Sequence, residues 1–253
     1  MDRVHLQNNE RLKILAFLRT YQGIYVGSEA KCRRFLNGVL WVMRSGAQWR
    51  LMPNRYGKWN SVYKRFARWC DKGVWTQMLG YFADDPDMEN LMIDSTLVWA
   101  HPCAAGAPTA RGGQERQALG RSRGGFTTKI HISVDGQGNP LRPRLTAGQR
   151  HDITQAPALT EGFEYDHLIA DGSYDAQDFI DLIQAQQALP VIPSRANRRR
   201  PRDLDRHLYH ERHVIECFIN KIKHYRRIFS RFDKLDTRYL GFLAFVAVLI
   251  WLR

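Results

Sequence analysis

The spacing of apolar residues changes near residue 88, and this change constrains the fold more than any other feature of the chain. Before it, apolar residues recur at intervals of three and four, the period of an α-helix. After it, they form the short runs and alternations typical of β-strands. The segment 84–87 (Asp-Asp-Pro-Asp) separates the two patterns. We therefore predict a small all-helical domain at residues 1–88 and a sheet-containing domain at residues 89–253.

The first domain contains two helical patterns joined by a turn-rich stretch. One runs from Ala30 to Arg44 and stops at Ser45-Gly46; the other begins near Trp59 and is closed by Gly73. A supporting helix followed by a basic helix is the arrangement of a helix-turn-helix DNA-binding motif. The alternative is a helical bundle with a solvated basic face. The candidate DNA contacts on the second helix are Lys58, Lys64, Arg65 and Arg68.

The charge of the chain indicates a polyanionic partner. Its net charge is +13 over 253 residues, and nucleic acid is the commonest partner of so basic a protein. Counted along the sequence, residues 1–88 carry +8, residues 89–193 carry −4 and residues 194–253 carry +9. We therefore expect DNA to contact both ends of the chain.

The sequence predicts a protein of the reduced cytosol. Its four cysteines are far apart and form no Cys-x2-Cys pair, so neither a zinc site nor a disulfide framework is indicated. The N-terminus lacks the apolar segment of a signal peptide. The apolar run 240–252 is shorter than the roughly 20 residues that span a bilayer. We interpret it as a buried closing helix rather than a membrane anchor, and expect no contact with a membrane.

The second domain is predicted to be α/β. Strand patterns cover 91–98, 127–134 and 141–145, and the last two are joined by an Asp-Gly-Gln-Gly-Asn-Pro segment that predicts a hairpin. Helical and strand patterns then alternate as far as residue 192. This order predicts a mixed sheet flanked by helices. Two basic loops, at 111–125 and 195–206, show no packing pattern.

Two aspartates lie where packing alone would not place them. Asp94 stands in the middle of an apolar strand, and a buried carboxylate is costly unless it is paired, hydrogen-bonded or bound to metal. Asp171 follows a short strand and precedes Gly172, at the sheet edge where α/β proteins place their sites. A turn or capping role is the alternative for Asp171.

A third acid, Glu216, lies on a polar stripe of a predicted helix. At 100° per residue the stripe also holds Tyr209, Arg212 and Lys223. The alternative is a solvated face on which Arg212 and Glu216 form an ordinary i,i+4 pair. The opposite face of this helix is apolar and contains Val214, Phe218, Ile222, Tyr225 and Phe229.

Together the three carboxylates predict a metal site. Carboxylate oxygens are hard ligands that suit Mg²⁺ or Mn²⁺. Two such ions can activate water or a 3′-hydroxyl and stabilise the leaving oxygen of a phosphodiester displacement. Arg212 and Lys223 would then hold phosphate, Arg212 as a bidentate fork.

These motifs resemble the DDE transposases of bacterial insertion sequences, in particular the insertion-sequence-five group and its insertion-sequence-four relatives. The most specific element is the signature Tyr-x2-Arg-x3-Glu-x6-Lys, which Tyr209, Arg212, Glu216 and Lys223 match with every spacing kept. Residues 92–96 and 169–175 resemble the two aspartate blocks, and residues 120–129 resemble the stretch before the second strand. The resemblance covers about residues 30–253.

The resemblance implies a ribonuclease-H-like core in which Asp94, Asp171 and Glu216 bind two Mg²⁺ or Mn²⁺ ions. It implies that Tyr209, Arg212 and Lys223 lie near the DNA end, and Arg121 and Arg123 are further candidate DNA contacts. The separations between the three acids leave no room for a large inserted domain.

The predicted function is a DNA transposase of the bacterial nucleoid. It would act as a homodimer or higher oligomer on terminal inverted repeats, cleave the element ends and join 3′-hydroxyls to target DNA. The alternatives are a ribonuclease-H-like metal nuclease that does not join DNA, and a DNA-binding repressor or inactive remnant of an element.

Overall fold

A computed structural model describes residues 5–122 and 124–253 of the chain, apart from the side chains of Glu115 and Ser122. Arg123, a predicted DNA contact, therefore lies outside the described residues. The described helices are α1 (Asn8–Thr20), α2 (Glu29–Ser45), α3 (Trp59–Asp71), α4 (Val74–Phe82), α5 (Ala156–Thr160), α6 (Gln177–Ala185), α7 (Arg206–His210), α8 (His213–Lys223), α9 (Arg226–Phe229) and α10 (Asp236–Trp251).

The N-terminal part is helical, as predicted. Helix α2 begins after Ser28, whose hydroxyl accepts a hydrogen bond from the backbone of Lys31, and ends at Gly46. Gly46 has a φ of 68°, a left-handed conformation that glycine adopts without a steric cost. Helix α3 buries Val62, Phe66 and Trp69. The connection at 46–58 contains two short 3₁₀ turns, so it is longer than the tight turn of a typical helix-turn-helix motif.

The second part is built on a mixed sheet. Its described strands are β1 (Asn90–Ala100), β2 (Gly120–Ser122), β3 (Gly125–Val134), β4 (Pro140–Ala147), β5 (His167–Ile169), β6 (Leu189–Val191) and β7 (Ser230–Arg231). The main order is β4-β3-β1-β5-β6, in which β4, β3 and β1 are antiparallel neighbours and β5 and β6 run parallel to β1. The hairpin between β3 and β4 is confirmed. Three antiparallel strands followed by two parallel ones form a ribonuclease-H-like sheet, which confirms the predicted fold class.

Helices cover both faces of the sheet. On one face, Leu91 and Ile93 of β1 pack with residues of α5 and α6. On the other face, Met92 and Val98 belong to a larger core that includes α8 and α10. Because successive strand residues point to opposite faces, a single strand contributes to both cores.

Helix α10 joins the helical part to the sheet. It is buried along most of its length, as predicted for the closing helix. Phe242 stacks on Phe66 of α3 at a ring-centroid distance of 4.4 Å, and Phe245 lies 4.9 Å from Trp75 of α4. One continuous core therefore contains side chains from both predicted domains. Within the described ranges, no helix has both the length and the apolar character needed to cross a bilayer.

The predicted continuous helix around Glu216 is interrupted. The chain forms α7 and α8 with a turn at residues 211–212, where backbone hydrogen bonds run from Glu211 to Leu208 and from Arg212 to Tyr209. These bonds span three residues rather than four, so the backbone is locally tighter than an α-helix. Phe229, expected on the core face, is 61% exposed because α8 has already ended at Lys223.

Candidate active site

The register of two parallel strands brings Asp94 and Asp171 to the same level of the sheet. Strand β1 pairs with β5 so that Met92 lies beside Ile169. Each aspartate follows its member of this pair by two residues. The first two predicted acids therefore lie side by side, although 77 positions separate them in the sequence.

Asp94 is a poorly solvated carboxylate with few compensating partners. One of its oxygens accepts a hydrogen bond from the backbone N–H of Ser95 at 2.7 Å. Burial raises the pKa of Asp94 to about 6, against the opposing effects of the Ser95 bond and of Arg212. The charges of Asp171 and Glu216 raise this pKa further. The three predicted acids are thus close enough to interact electrostatically.

Arg212 connects Glu216 to Asp94. The Nη1 atom of Arg212 lies 3.0 Å from Oδ2 of Asp94, and its Nη2 atom donates to the carboxylate of Glu216. The i,i+4 pair between Arg212 and Glu216 is therefore real, but it is not merely a surface contact. The same guanidinium connects helix α8 to the first aspartate on β1.

The three carboxylates have the chemistry of a divalent-metal site, and Arg212 changes its geometry. Their oxygens are ligands that Mg²⁺ and Mn²⁺ prefer. Among the side chains that the structure describes, no three from His, Cys, Asp and Glu are grouped closely enough to hold a metal ion. The guanidinium of Arg212 bridges Asp94 and Glu216 instead. A cation shared by these two acids would have to displace it.

The remaining predicted residues of this region lie on three different elements: Tyr209 on α7, Lys223 on α8 and Arg121 on β2. The ring of Tyr209 is 6.0 Å from the guanidinium of Arg212. Lys223 ends α8, seven residues and about 10 Å along the helix from Glu216. Arg121 is exposed on β2, with its guanidinium 5.8 Å from the ring of Phe126. Tyr209 thus lies near Arg212, whereas Lys223 is about two helical turns beyond Glu216.

The turn after Asp171 holds residues that the sequence did not single out. Asp171 caps a 3₁₀ turn at Gly172–Tyr174 and accepts a hydrogen bond from the backbone N–H of Ser173 at 2.9 Å. The predicted capping role is therefore present together with proximity to Asp94. The side chain of Arg195 donates to the carbonyl oxygens of Gly172 and Ser173 at 3.1 and 2.6 Å. The basic loop at 195–206 was the signal that could have identified Arg195.

The helical part presents a basic groove. Its volume is about 490 Å³, and its lining includes the predicted Lys58, Lys64, Arg65 and Arg68 of the α3 region together with Lys31 and Arg34 of α2. Lys58, Lys64 and Arg68 are exposed. The sequence prediction missed Lys31 and Arg34 because it treated α2 only as a supporting helix.

Arg65 differs from the other predicted basic contacts because its guanidinium is occupied within the protein. It donates to the carbonyl oxygen of Val26 at 2.9 Å and lies 4.1 Å from the ring centroid of Phe35 and 4.9 Å from that of Trp69. Burial lowers the pKa of Arg65, partly offset by Cys32. Arg65, which the sequence predicts to be a DNA contact, is therefore half-buried and packs within the helical part.

A ribonuclease-H-like sheet with one Asp on β1, a second Asp after β5 and a Glu on the packed helix α8 defines the class of DDE phosphoryl-transfer proteins. The family described as "Transposase DDE domain" matches residues 85–251, more than half of the chain. The family described as "Putative transposase of IS4/5 family" matches residues 13–79. The chain therefore belongs to the DDE transposases, a family that generally uses divalent metal ions.

Two curated relatives are similar to parts of the chain. A protein of Brucella ovis named "Putative transposase for insertion sequence element IS6501" is 42% identical over 133 residues, which are 51% of this chain and 100% of that protein. The "Uncharacterized protein y4sN" of Sinorhizobium fredii is 46% identical over 92 residues, 36% of this chain and 74% of the relative.

Solved transposase structures are more distant. A piggyBac transposase synaptic complex with hairpin DNA has a TM-score of 0.37 and 12% identity, covering 79% of this chain. This chain spans 45% of the piggyBac chain. The Mos1 strand transfer complex has a TM-score of 0.29 and 10% identity, with 97% of this chain and 96% of that chain covered.

Proposed function

We propose that this transposase binds the terminal inverted repeats of an insertion sequence, cleaves the element ends and joins the freed 3′-hydroxyls to target DNA. The observation that carries the proposal is the placement of three acids from separate elements: Arg212 bridges Asp94 and Glu216, and the register of β1 with β5 sets Asp171 level with Asp94. A packed core gives no reason to gather three acids and an arginine at one sheet edge.

In this proposal, Asp94, Asp171 and Glu216 hold two Mg²⁺ or Mn²⁺ ions. When bound, such ions supply a deprotonated water or 3′-hydroxyl and stabilise the leaving oxygen. Asp94 within β1 and Asp171 just after β5 have fixed positions, because each lies two residues beyond the paired Met92 and Ile169. Glu216 is 50% exposed on α8 and has more freedom to adjust. Arg212, released from the acids, would bind a DNA phosphate.

DNA is the proposed partner at both basic ends of the chain. The exposed Lys58, Lys64 and Arg68 line a groove that is suited to the phosphate backbone. Near the acids, Lys223, Arg121 and Tyr209 would contact the DNA end, and Arg123 belongs to the same proposed set. We assign Arg65 to packing rather than to DNA. Two transposon ends call for two active sites, so we propose a homodimer or larger assembly on DNA in the bacterial nucleoid.

The test is strand cleavage and joining with DNA carrying the element ends. Asp94→Ala, Asp171→Ala and Glu216→Ala should each abolish Mg²⁺-dependent cleavage and joining while leaving end binding largely intact. Activity that survives any one of these changes contradicts the proposed site. Cleavage without joining of precut ends would identify a nuclease, and binding without metal-dependent nicking would identify a repressor or an inactive remnant.

A further inference from the structure

The segment 195–202 contains five arginines, and the structure divides them into two groups. Arg195, Arg198 and Arg202 make hydrogen bonds within the protein. Arg199 and Arg200 are exposed, and no hydrogen bond or ion pair is seen for either one within the described part of the chain. The two groups therefore have different physical roles.

The hydrogen-bonded group is anchored on Asp175, whose side chain is almost fully buried. Asp175 accepts hydrogen bonds from the backbone N–H of Arg195 and from Nη2 of Arg202, both at 2.8 Å, and from the guanidinium of Arg198. A buried carboxylate with three such donors is strongly compensated. This arrangement explains how a loop so rich in arginine is held in one conformation against α6.

The same loop also contacts the 3₁₀ turn Gly172–Tyr174 that Asp171 caps. Arg195 donates to the carbonyl oxygens of Gly172 and Ser173, the two residues directly after Asp171. DNA bound on the outer side of the loop would therefore have a fixed position relative to Asp171.

The outer side of the loop forms an open groove of about 690 Å³. Arg199 and Arg200 line it together with Arg198, Arg202 and three residues of α6: Gln177, Ile180 and Gln184. Among the described residues that line the groove there is no carboxylate to neutralise the two exposed guanidinium groups.

We propose that Arg199 and Arg200 each bind a backbone phosphate of duplex DNA and hold the duplex beside the Asp171 turn. The inference rests on the proposed function and adds a DNA-contact surface to it. Exposed arginines on a loop contact phosphates, whereas reading of base edges requires an element that enters a groove of the DNA. The contact should therefore be independent of DNA sequence.

The test is the salt dependence of binding to a short DNA duplex of arbitrary sequence, so it does not require the inverted repeats. For B-DNA, the slope of log K against log salt falls in magnitude by about 0.9 for each phosphate that the protein no longer neutralises. The double variant Arg199→Ala/Arg200→Ala should show a slope shallower by about 1.8. Arg199→Lys/Arg200→Lys keeps both charges and should restore most of the slope.

The control Lys13→Ala/Arg19→Ala removes the same charge from exposed positions on α1 and should leave the slope near that of the wild type. Thermal unfolding of all variants should match the wild type because Arg199 and Arg200 support no internal contact in the described structure. An unchanged slope in Arg199→Ala/Arg200→Ala overturns the inference. A wild-type protein that binds no duplex at any salt concentration would instead contradict the proposed function.

Discussion

Arg212 donates a hydrogen bond to Asp94 across 118 positions of sequence, with Nη1 lying 3.0 Å from Oδ2. Its second nitrogen donates to Glu216. A guanidinium thus neutralises two of the three acids that we propose as metal ligands. The contact also links the start of α8 to strand β1. Arg212 and Glu216 therefore lie next to Asp94.

Removing the guanidinium should make the acids more available to metal. We expect Arg212→Gln to bind Mn²⁺ about fivefold more tightly in the absence of DNA, since a partly exposed ion pair is worth about 1 kcal/mol. Electron paramagnetic resonance of free Mn²⁺ measures this affinity without any dependence on activity. The control is Arg206→Gln, an exposed position on α7. Equal or weaker binding by Arg212→Gln would show that the bridge does not compete with metal.

Asp94 should make stability depend on pH in metal-free buffer. Its folded-state pKa is about 6, above the ordinary aspartate value of 3.8, so the folded state holds the proton more tightly than the unfolded state. The associated stability is present below pH 4 and is lost as the pH rises through 6. Asp94→Asn should therefore exceed the wild type in free energy of unfolding by about 3 kcal/mol at pH 8. The difference should shrink to under about 1 kcal/mol near pH 4 in urea unfolding with EDTA. A stability difference between Asp94→Asn and the wild type that does not change with pH would contradict the raised pKa of Asp94.

Arg65 and Arg68 test the distinction between packing and DNA binding on one helix. Arg65→Ala removes a hydrogen bond to Val26 and the contacts with two aromatic rings, so it should lower the free energy of unfolding by about 2–3 kcal/mol. Arg68→Ala, at an exposed position, should change it by less than about 0.5 kcal/mol and weaken duplex binding instead. Urea unfolding and fluorescence anisotropy separate the two effects. Equal destabilisation by both changes would contradict the structure.

Two helical glycines test the packing of α10 against the helical part. A Cβ at Gly241 would lie 2.5 Å from Sγ of Cys70 and 3.2 Å from the ring of Trp75, whereas one at Gly80 meets nothing within 4 Å. Gly241→Ala should therefore destabilise the protein by about 1–2 kcal/mol. Gly80→Ala should stabilise it by about 0.5–1 kcal/mol through the helix preference of alanine. Thermal unfolding measures the change in stability for each variant. A stabilising Gly241→Ala would contradict this packing.

Much of the fold was predictable because its signals are local. Apolar periodicity located α2, α3 and the strands β1, β3 and β4, and Gly46 ended α2 at the expected place. The hairpin followed from an Asp-Gly-Gln-Gly-Asn-Pro segment, in which Asp135 accepts bonds from the backbones of Gln137 and Asn139. These features depend on neighbours within a few residues, so the sequence carries them directly.

Other features depended on partners distant in the chain. The helical wheel treated residues 209–223 as one helix, but the chain tightens at 211–212, where Arg212 meets Asp94. Arg65 was predicted to lie on the basic face of α3, yet Tyr25 and Val26 from another segment cover it. Periodicity assigns a residue to a face of its own helix and contains no information about which loop packs on that face.

The sequence by itself determined the family and the order of the elements, because residue type and spacing encode them, and it supplied the three acids of the proposed site. Only the tertiary structure decided how the acids meet. Pairing of β1 with β5 sets Asp94 level with Asp171, and packing of α8 on the sheet brings Arg212 between Asp94 and Glu216. Distances between side chains on different elements follow from strand register and helix packing, and these are fixed when the whole core closes.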